Sequence, residues 1–524
     1  TFAMPSVEPG AIIEYRWREV RPGFSAQYTR LQFQRDIPVQ RVTYYVKPLS
    51  NPYITFAMRY HPFQMENPRF AKDKNGFYST QVTNVPAFHE ESRMPPEDTV
   101  RQWILLYYTE DRKLTAQRYW PDYGRRIYEA YKPYMKVNDA IRAAATEAIG
   151  TATTDDAKLQ NLFNFARARV KNAYTDEANL TAEERQKLKE NKSPSDTLKQ
   201  GMGSEQDIDL LFGALATAAG YDARVVTLVD RSDMFFNPNF TDDYFMYPTN
   251  IAVRVGNEWQ FFDPGASHLP YGMLAWGEEG VDALISDPKE PAFVSTPMSP
   301  AAKSLERRTA KLTLTEDGTL EGDVRIEYTG HLAAEKREIF DDDSPAEREE
   351  FMRSDVRGRM STAELTNIQL ENISDPAKPL IVSYRVRVPG YAQRTGKRLF
   401  IHPAFFQSNQ SALFPTTARK YPVYFPYNWS EHDTVRISLP AGFALDNAEA
   451  PQSLSGGPLT SYTVRAATAD NGKTLIYERR FQFGTNEVLT FDTATYPKLK
   501  IYFDNVHEQD GHTIALKSAV SPSE

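Results

Sequence analysis

From Ala11 to about Pro133 bulky β-forming residues alternate with polar ones, as in residues 12–18, 30–34 and 42–46, and Pro, Asn and Gly clusters separate the runs. That alternation predicts a half-buried antiparallel sheet. Between residues 137 and 171 the period lengthens: Ile141, Ala144, Ala145 and Ala148, then Leu159, Leu162, Phe163, Ala166 and Val170, recur at three and four. Two amphipathic helices follow, the second capped by Thr154 with Asp155 and Asp156 in its first turn. After a polar, lysine-rich stretch at 183–199, the turn Gly201-Met202-Gly203 leads into an apolar run, 210–219, that Gly220 stops. This predicts a buried helix. Strand candidates follow at 224–229, 251–255 and 259–262, the last two joined by a Gly256-Asn257 turn. From Ala310 onward strands dominate again, at 311–314, 323–328, 380–388, 435–439, 475–483 and 499–503, with one helix at 345–353. The expected fold class is α+β and multidomain: an N-terminal antiparallel β-domain (1–133), an α+β core (134–298) and a C-terminal β-rich, sandwich-like domain (299–524).

Length agrees, since 524 residues at roughly 150 per domain make about three. A formal charge of −8, from 61 basic and 69 acidic residues, offers no electrostatic footprint for nucleic acid. No apolar run approaches the roughly 20 residues of a membrane span, the nearest being 210–220. The count that changes the picture most is that of cysteine, which is 0. It excludes disulfides, thiolate metal sites, iron–sulfur clusters and a cysteine nucleophile together. It also suits an oxidising compartment, where a stray thiol is a liability. The chain opens on Thr1 without a basic-then-apolar leader, so either a leader was removed or the chain begins inside a longer one.

A glycine turn entering a buried helix is where an enzyme can hold a nucleophile or an anion, because free N–H groups and the helix dipole converge there. Here the turn continues Ser204-Glu205-Gln206-Asp207-Ile208-Asp209, with no lysine after the second glycine, so it is not a phosphate loop. Two readings of the carboxylates stand side by side. Glu205 and Asp209 share one helical face and form a conceivable general acid/base pair; equally, acids in a first turn need only the helix dipole to account for them. The run Phe340-Asp341-Asp342-Asp343 reads as a solvated loop, with a cation site as its alternative. His507 and His512, flanking Glu508 and Asp510, read as a solvated turn and not as metal ligands. No metal and no cofactor is expected.

The order of helix, glycine turn, buried helix, Gly220-Tyr221-Asp222-Ala223-Arg224-Val225-Val226 and then Trp259-Gln260-Phe261-Phe262-Asp263-Pro264 resembles the bacterial transglutaminase-like domain of the papain-type cysteine enzymes. The Asn172-Ala173-Tyr174 end of the preceding helix is similar too. Upstream, residues 7–15 with Ile37-Pro38-Val39 and Asn84-Val85-Pro86-Ala87 resemble the β-rich domain of unknown function that often precedes it. Arg419-Lys420-Tyr421-Pro422 and Tyr496-Pro497-Lys498-Leu499 resemble the β-module that often follows. The resemblance implies that the chain begins part-way into that first domain.

Active members of the family use a cysteine thiolate at the helix start, a histidine on a neighbouring strand and an aspartate that orients the histidine. By that resemblance Glu205 stands at the nucleophile, Asn250 at the histidine and Asp263 at the aspartate. A carboxylate is a poor acyl acceptor and an amide cannot take a proton, so a degenerate triad without acyl-transfer activity is expected. A register slip of one would make Ser204 a serine nucleophile, but no histidine lies near the strand and His268 is closest in sequence to Asp263. The aromatic, turn-rich segment 233–245 carries Phe235, Phe236 and Tyr244; it either packs on its own domain or overhangs the cleft. These three, with Ser204, Glu205, Asp209 and Trp259, are the cleft candidates. The expected function is that of a pseudoenzyme: an extracytoplasmic bacterial protein, periplasmic or secreted, with a binding or assembly role. A protein partner, a second copy of the chain, or a peptide or glycan are the partners considered, and nucleic acid is not. The alternative is a hydrolase or acyl-transfer enzyme on peptide or glycan, with a site rebuilt on Ser204 or on Glu205, Asp209 and Asp263.

Overall fold

The computed structural model describes residues 8–20, 27–49, 57–110, 114–175, 180–341, 343–447 and 451–518. The fold is α+β and multidomain, and it separates into two compact units. One comprises residues 1–88 and 101–113 and the other the rest.

In the first unit Trp103–Thr109 runs between Tyr28–Gln32 and Ala57–Phe63, all antiparallel. A second three-stranded sheet places Tyr78–Val85 between Val39–Val46 and Ala71–Lys72. Leu31, Phe33, Val42, Ile104 and Leu106 are the core. The strand expected at 12–18 is a correction: residues 11–20 form no strand, and Ile12 and Trp17 are exposed. Alternation makes a strand only where a neighbour supplies the ladder, and among the described residues none pairs with it. Val7, the first residue of the resembling segment, lies outside the described residues.

The second unit begins with another correction. Residues 116–131, expected within the β-domain, form the helix Ala116–Tyr131, whose buried face is Trp120, Tyr123 and Gly124. Aromatic residues suit a pleated surface, which is why the run reads as strand; the three- and four-residue spacing of Trp120, Tyr123 and Gly124 decides for helix. Helices Asp139–Ile149, Asp155–Arg169 and Glu205–Ala218 follow, the first two capped by Asn138 and Thr154. Their apolar faces join in one core with Val225, Ile251, Val253 and Phe262 of the sheet behind them. That sheet is antiparallel and five-stranded, in the order Glu258–Phe262, Tyr247–Val255, Asp222–Leu228, Asp282–Ile285, Ala292–Ser295.

Beyond it an eight-stranded sheet has Leu305–Leu314 near its middle, antiparallel to Leu320–Tyr328 on one side and parallel to Trp429–Ser438 on the other. Helices Gly330–Asp341, Pro345–Arg359 and Tyr496–Asp510 pack on it through Phe340, Met352, Val356, Leu499 and Phe503. Two expectations give way here. Residues 499–503 are helical: Leu499, Ile501 and Phe503 alternate as a strand would, yet the buried set is Leu499, Phe503, Val506 and Asp510, and Ile501 is exposed. The acidic run opens inside a helix, which Phe340 and Asp341 close, with Phe340 buried and Asp341 Oδ2 3.5 Å from His268 Nε2; Asp342 lies outside the described residues. Among the described residues no helix is long and apolar enough to cross a membrane.

Candidate functional site

The helix Glu205–Ala218 starts where it does because Ser204 closes a capping box. Its Oγ accepts the Asp207 N–H at 3.2 Å while Asp207 Oδ2 accepts the Ser204 N–H at 2.8 Å. The Ser204 hydroxyl also donates to Asp207 Oδ2 at 3.1 Å, so it serves the cap. Just before it, Met202–Gly203 pairs in parallel with Lys171–Asn172, which brings Asn172 to the helix start. Asn172 Nδ2 donates to Glu205 Oε1 at 3.3 Å. Burial and the nearby Asp263 charge push the Glu205 pKa up, against the lowering effect of Asn172, although the side chain as a whole reaches solvent.

One turn further in, Asp209 is buried at 3% exposure in an otherwise apolar stretch. Its Oδ1 accepts the Gly265 N–H at 2.8 Å, and its carboxyl group is hydrogen-bonded to that of Asp263. Burial first, then the Asp263 charge, holds the Asp209 pKa well above the usual carboxylate range. Two buried carboxyl groups this close titrate as a pair and not one by one. Asp263, at the end of Glu258–Phe262, is also pushed up by burial, and its Oδ1 accepts the Ala266 N–H at 2.9 Å.

The loop carrying Asp263 is fastened from below by Arg167. Its guanidinium donates to the carbonyls of Pro264, Leu269 and Ala266 at 3.1, 2.7 and 2.7 Å and lies 4.7 Å over the Phe163 ring. Gly265 rests directly on the helix, where a Cβ would come 2.6 Å from the Glu205 carbonyl oxygen.

Asn250 sits on Tyr247–Val255 at a bulge, where pairing with Asp222–Leu228 shifts register between Pro248 and Asn250. Such bulges re-aim a side chain. The amide is 1% exposed and Nδ2 donates to Glu278 Oε2 at 3.3 Å, while Oδ1 meets no hydrogen-bond partner among the described residues. Glu278 belongs to the short turn Trp276–Glu278 and is itself buried.

Ser204, Glu205, Asp209 and Asp263 thus gather around one helix start, Asn250 is tied to Glu278, whose charge acts on Asp209, and the other candidates lie elsewhere. Phe235 packs edge-on against Tyr424 at 5.1 Å, and Phe236 against Trp120 at 5.5 Å. Trp120 Nε1 donates to the Pro238 carbonyl at 2.6 Å and Tyr119 to Asp243 at 2.8 Å, so the aromatic segment is tied to the helix Ala116–Tyr131. Tyr244 stacks edge-on with Phe245 at 4.8 Å, and Trp259 lies under the Arg254 guanidinium at 5.0 Å. A groove of about 590 Å³ opens beside Ser204, bounded by Tyr131, Tyr134, Tyr174, Asn191 and Gln206; Glu205, Asn250 and Asp263 do not line it.

Neither Arg167 nor Glu278 stands out in the sequence as a site residue, and nothing in the sequence marks Asn172 as the partner of Glu205. Asn172 lay within the resembling Asn172-Ala173-Tyr174 segment, and Arg167 is a charge in the last turn of a helix, a position that commonly serves only the dipole.

Comparison with known proteins places the C-terminal strands and their helix in context. Residues 397–516 match the model of the domain of unknown function DUF3858. No curated protein matches the sequence. Among solved structures, one named a "putative protease" from Parabacteroides distasonis is 10% identical, with a TM-score of 0.49 over 95% of this chain and 76% of that one. A "putative cysteine protease" from Cytophaga hutchinsonii is 14% identical, with a TM-score of 0.19 over 45% of this chain and 75% of that one. Neither likeness is close enough to carry an activity across.

Proposed function

We propose that this is a non-catalytic transglutaminase-like protein with an extracytoplasmic binding or assembly role. The supporting observation is how the three positions are partnered. Asn250 gives its amide to Glu278, and Asp263 is held by Asp209 and the Ala266 N–H, so the aspartate orients no base for residue 205. Chemistry of the family's kind needs a nucleophile, a base and an orienting group hydrogen-bonded in series. Here Glu205 is hydrogen-bonded to Asn172 instead. A hydrolase built on Glu205, Asp209 and Asp263 is disfavoured because both aspartates are buried and Gly265 closes over the helix start. Serine catalysis is disfavoured because the Ser204 hydroxyl is engaged with Asp207.

The test is incubation with a fluorescent amine and a glutaminyl protein substrate, alongside peptide and glycan hydrolysis assays. No turnover is expected. Turnover that Glu205→Ala abolishes would overturn the reading.

A further inference from the structure

A cavity of about 550 Å³ opens in the C-terminal part of the second unit, and neither Glu205, Asn250 nor Asp263 lines it. Its size falls in the range of small-molecule sites. The walls are aromatic, from Phe425, Tyr427, Trp429, Phe481 and Phe503. The floor is charged: Arg479 donates to Asp510 at 2.7 and 3.0 Å and to Glu431 at 2.7 Å. Trp429 Nε1 donates to Glu431 Oε1 at 3.1 Å, which fixes the half-buried indole in the wall.

The rim carries Arg93, Gln410, Ser411 and His507, all exposed. Arg93 has a left-handed backbone, φ 56°, which a non-glycine residue keeps only where its surroundings enforce it. Here they do. Its carbonyl accepts the Tyr424 N–H at 2.7 Å, and the neighbouring Glu91 carboxylate accepts the N–H groups of Lys420 and Tyr421 at 2.9 and 3.1 Å. The guanidinium is thereby set 5.0 Å over the Phe425 ring, and among the described residues nothing accepts a hydrogen bond from it. An arginine held at this cost, with its donors open at a cavity mouth, is placed for a ligand.

The charges select the ligand's chemistry. The charges of the lining are of both signs and largely balanced, Arg479 by its bonds to Glu431 and Asp510 and Arg93 by the nearby Glu335, so neither a simple anion nor a simple cation is favoured. A polyhydroxylated ring needs no charge of either sign, since each hydroxyl donates and accepts and its C–H face packs on an aromatic wall. We propose that this cavity binds a neutral saccharide of about one or two rings, its C–H faces against Trp429 and Tyr427 and its hydroxyls on Arg93, Gln410 and Ser411.

The experiment is saturation-transfer NMR and calorimetry on the full chain with maltose, cellobiose, lactose and N,N′-diacetylchitobiose, and with acetyl-Ala-Ala-Phe as a carboxylate-ended peptide. Saturable binding of at least one disaccharide is expected, weakened about tenfold or more by Arg93→Gly and by Trp429→Phe. Arg93→Gly suits the left-handed backbone, so its unfolding midpoint should match the parent and the loss reads as contact. Binding of none of the four sugars, equal binding by the parent and Arg93→Gly, or binding of the peptide alone overturns the proposal.

Discussion

Asp209 and Asp263 meet carboxyl to carboxyl in the core beneath the first turn of a helix, and burial pushes the pKa of each up. A carboxyl pair whose ionisation burial opposes is thereby built into the core, and it constrains how stability responds to pH.

The folded pKa of Asp209 lies above its unfolded value, so the pair's contribution is complete below about pH 4 and is lost as pH rises through the raised folded pKa. Denaturation midpoints of the parent should fall as pH is raised above about 4. Asp209→Asn keeps a donor for Asp263 and an acceptor for the Gly265 N–H, so its midpoints should fall less. Asp209→Ala should cost about 1–3 kcal/mol at neutral pH by leaving that N–H unpaired. Parallel slopes for parent and Asp209→Asn would rule a raised Asp209 pKa out.

Gly265→Ala should destabilise by about 1–3 kcal/mol, because the new methyl meets backbone that cannot yield. Gly358, in the helix Pro345–Arg359, has nothing within 4 Å of the place a methyl would take, and Gly358→Ala should gain about 0.5–1 kcal/mol. Urea titration of the two variants side by side checks the contrast.

Arg167→Leu should cost about 1.5–3 kcal/mol, since three carbonyls of the Asp263 loop lose a charged donor. Arg167→Lys should recover only part, an ammonium being unable to span all three. Hydrogen exchange of the Gly265 and Ala266 amides should speed up in both.

Against burial, which raises it, Arg479 and then Arg308 hold the Glu431 carboxyl down to about 2. Its contribution is present above the ordinary glutamate pKa and is lost as pH falls toward 2. Glu431→Gln should destabilise by about 3–5 kcal/mol at neutral pH and flatten the acid limb of the stability curve. An unchanged acid limb would remove Glu431 from the network.

What the chain disclosed in advance was local. Gly201, Gly203 and Gly220 mark the buried helix because turns and left-handed stops are written in single residues, whereas Ser204, a candidate nucleophile in the sequence, is its cap. Asp263-Pro264-Gly265 carries the residue types of a turn in the sequence itself. Residues 116–131 and 499–503 read as strand and are helical: Leu499, Ile501 and Phe503 alternate, and Tyr119, Trp120 and Tyr123 are β-formers by type, so in both the packing partner decides. The partners of the site were hidden for a different reason. Arg167 meets the Asp263 loop across roughly a hundred residues, and Asn250 finds Glu278 only because a bulge turns it. No spacing rule reaches that far.

The parallel pairing of Leu305–Leu314 with Trp429–Ser438 has a consequence for how the protein is made. Leu305 faces Ser430, so during synthesis the first strand waits for 125 further residues, about 6–25 s at ordinary elongation rates. Over that interval the hairpin with Leu320–Tyr328 can close, but one edge of Leu305–Leu314 stays bare. The nascent chain therefore carries an open β-edge for seconds, and a ribosome stalled before residue 438 would present it to any holdase or to its neighbours on the same message.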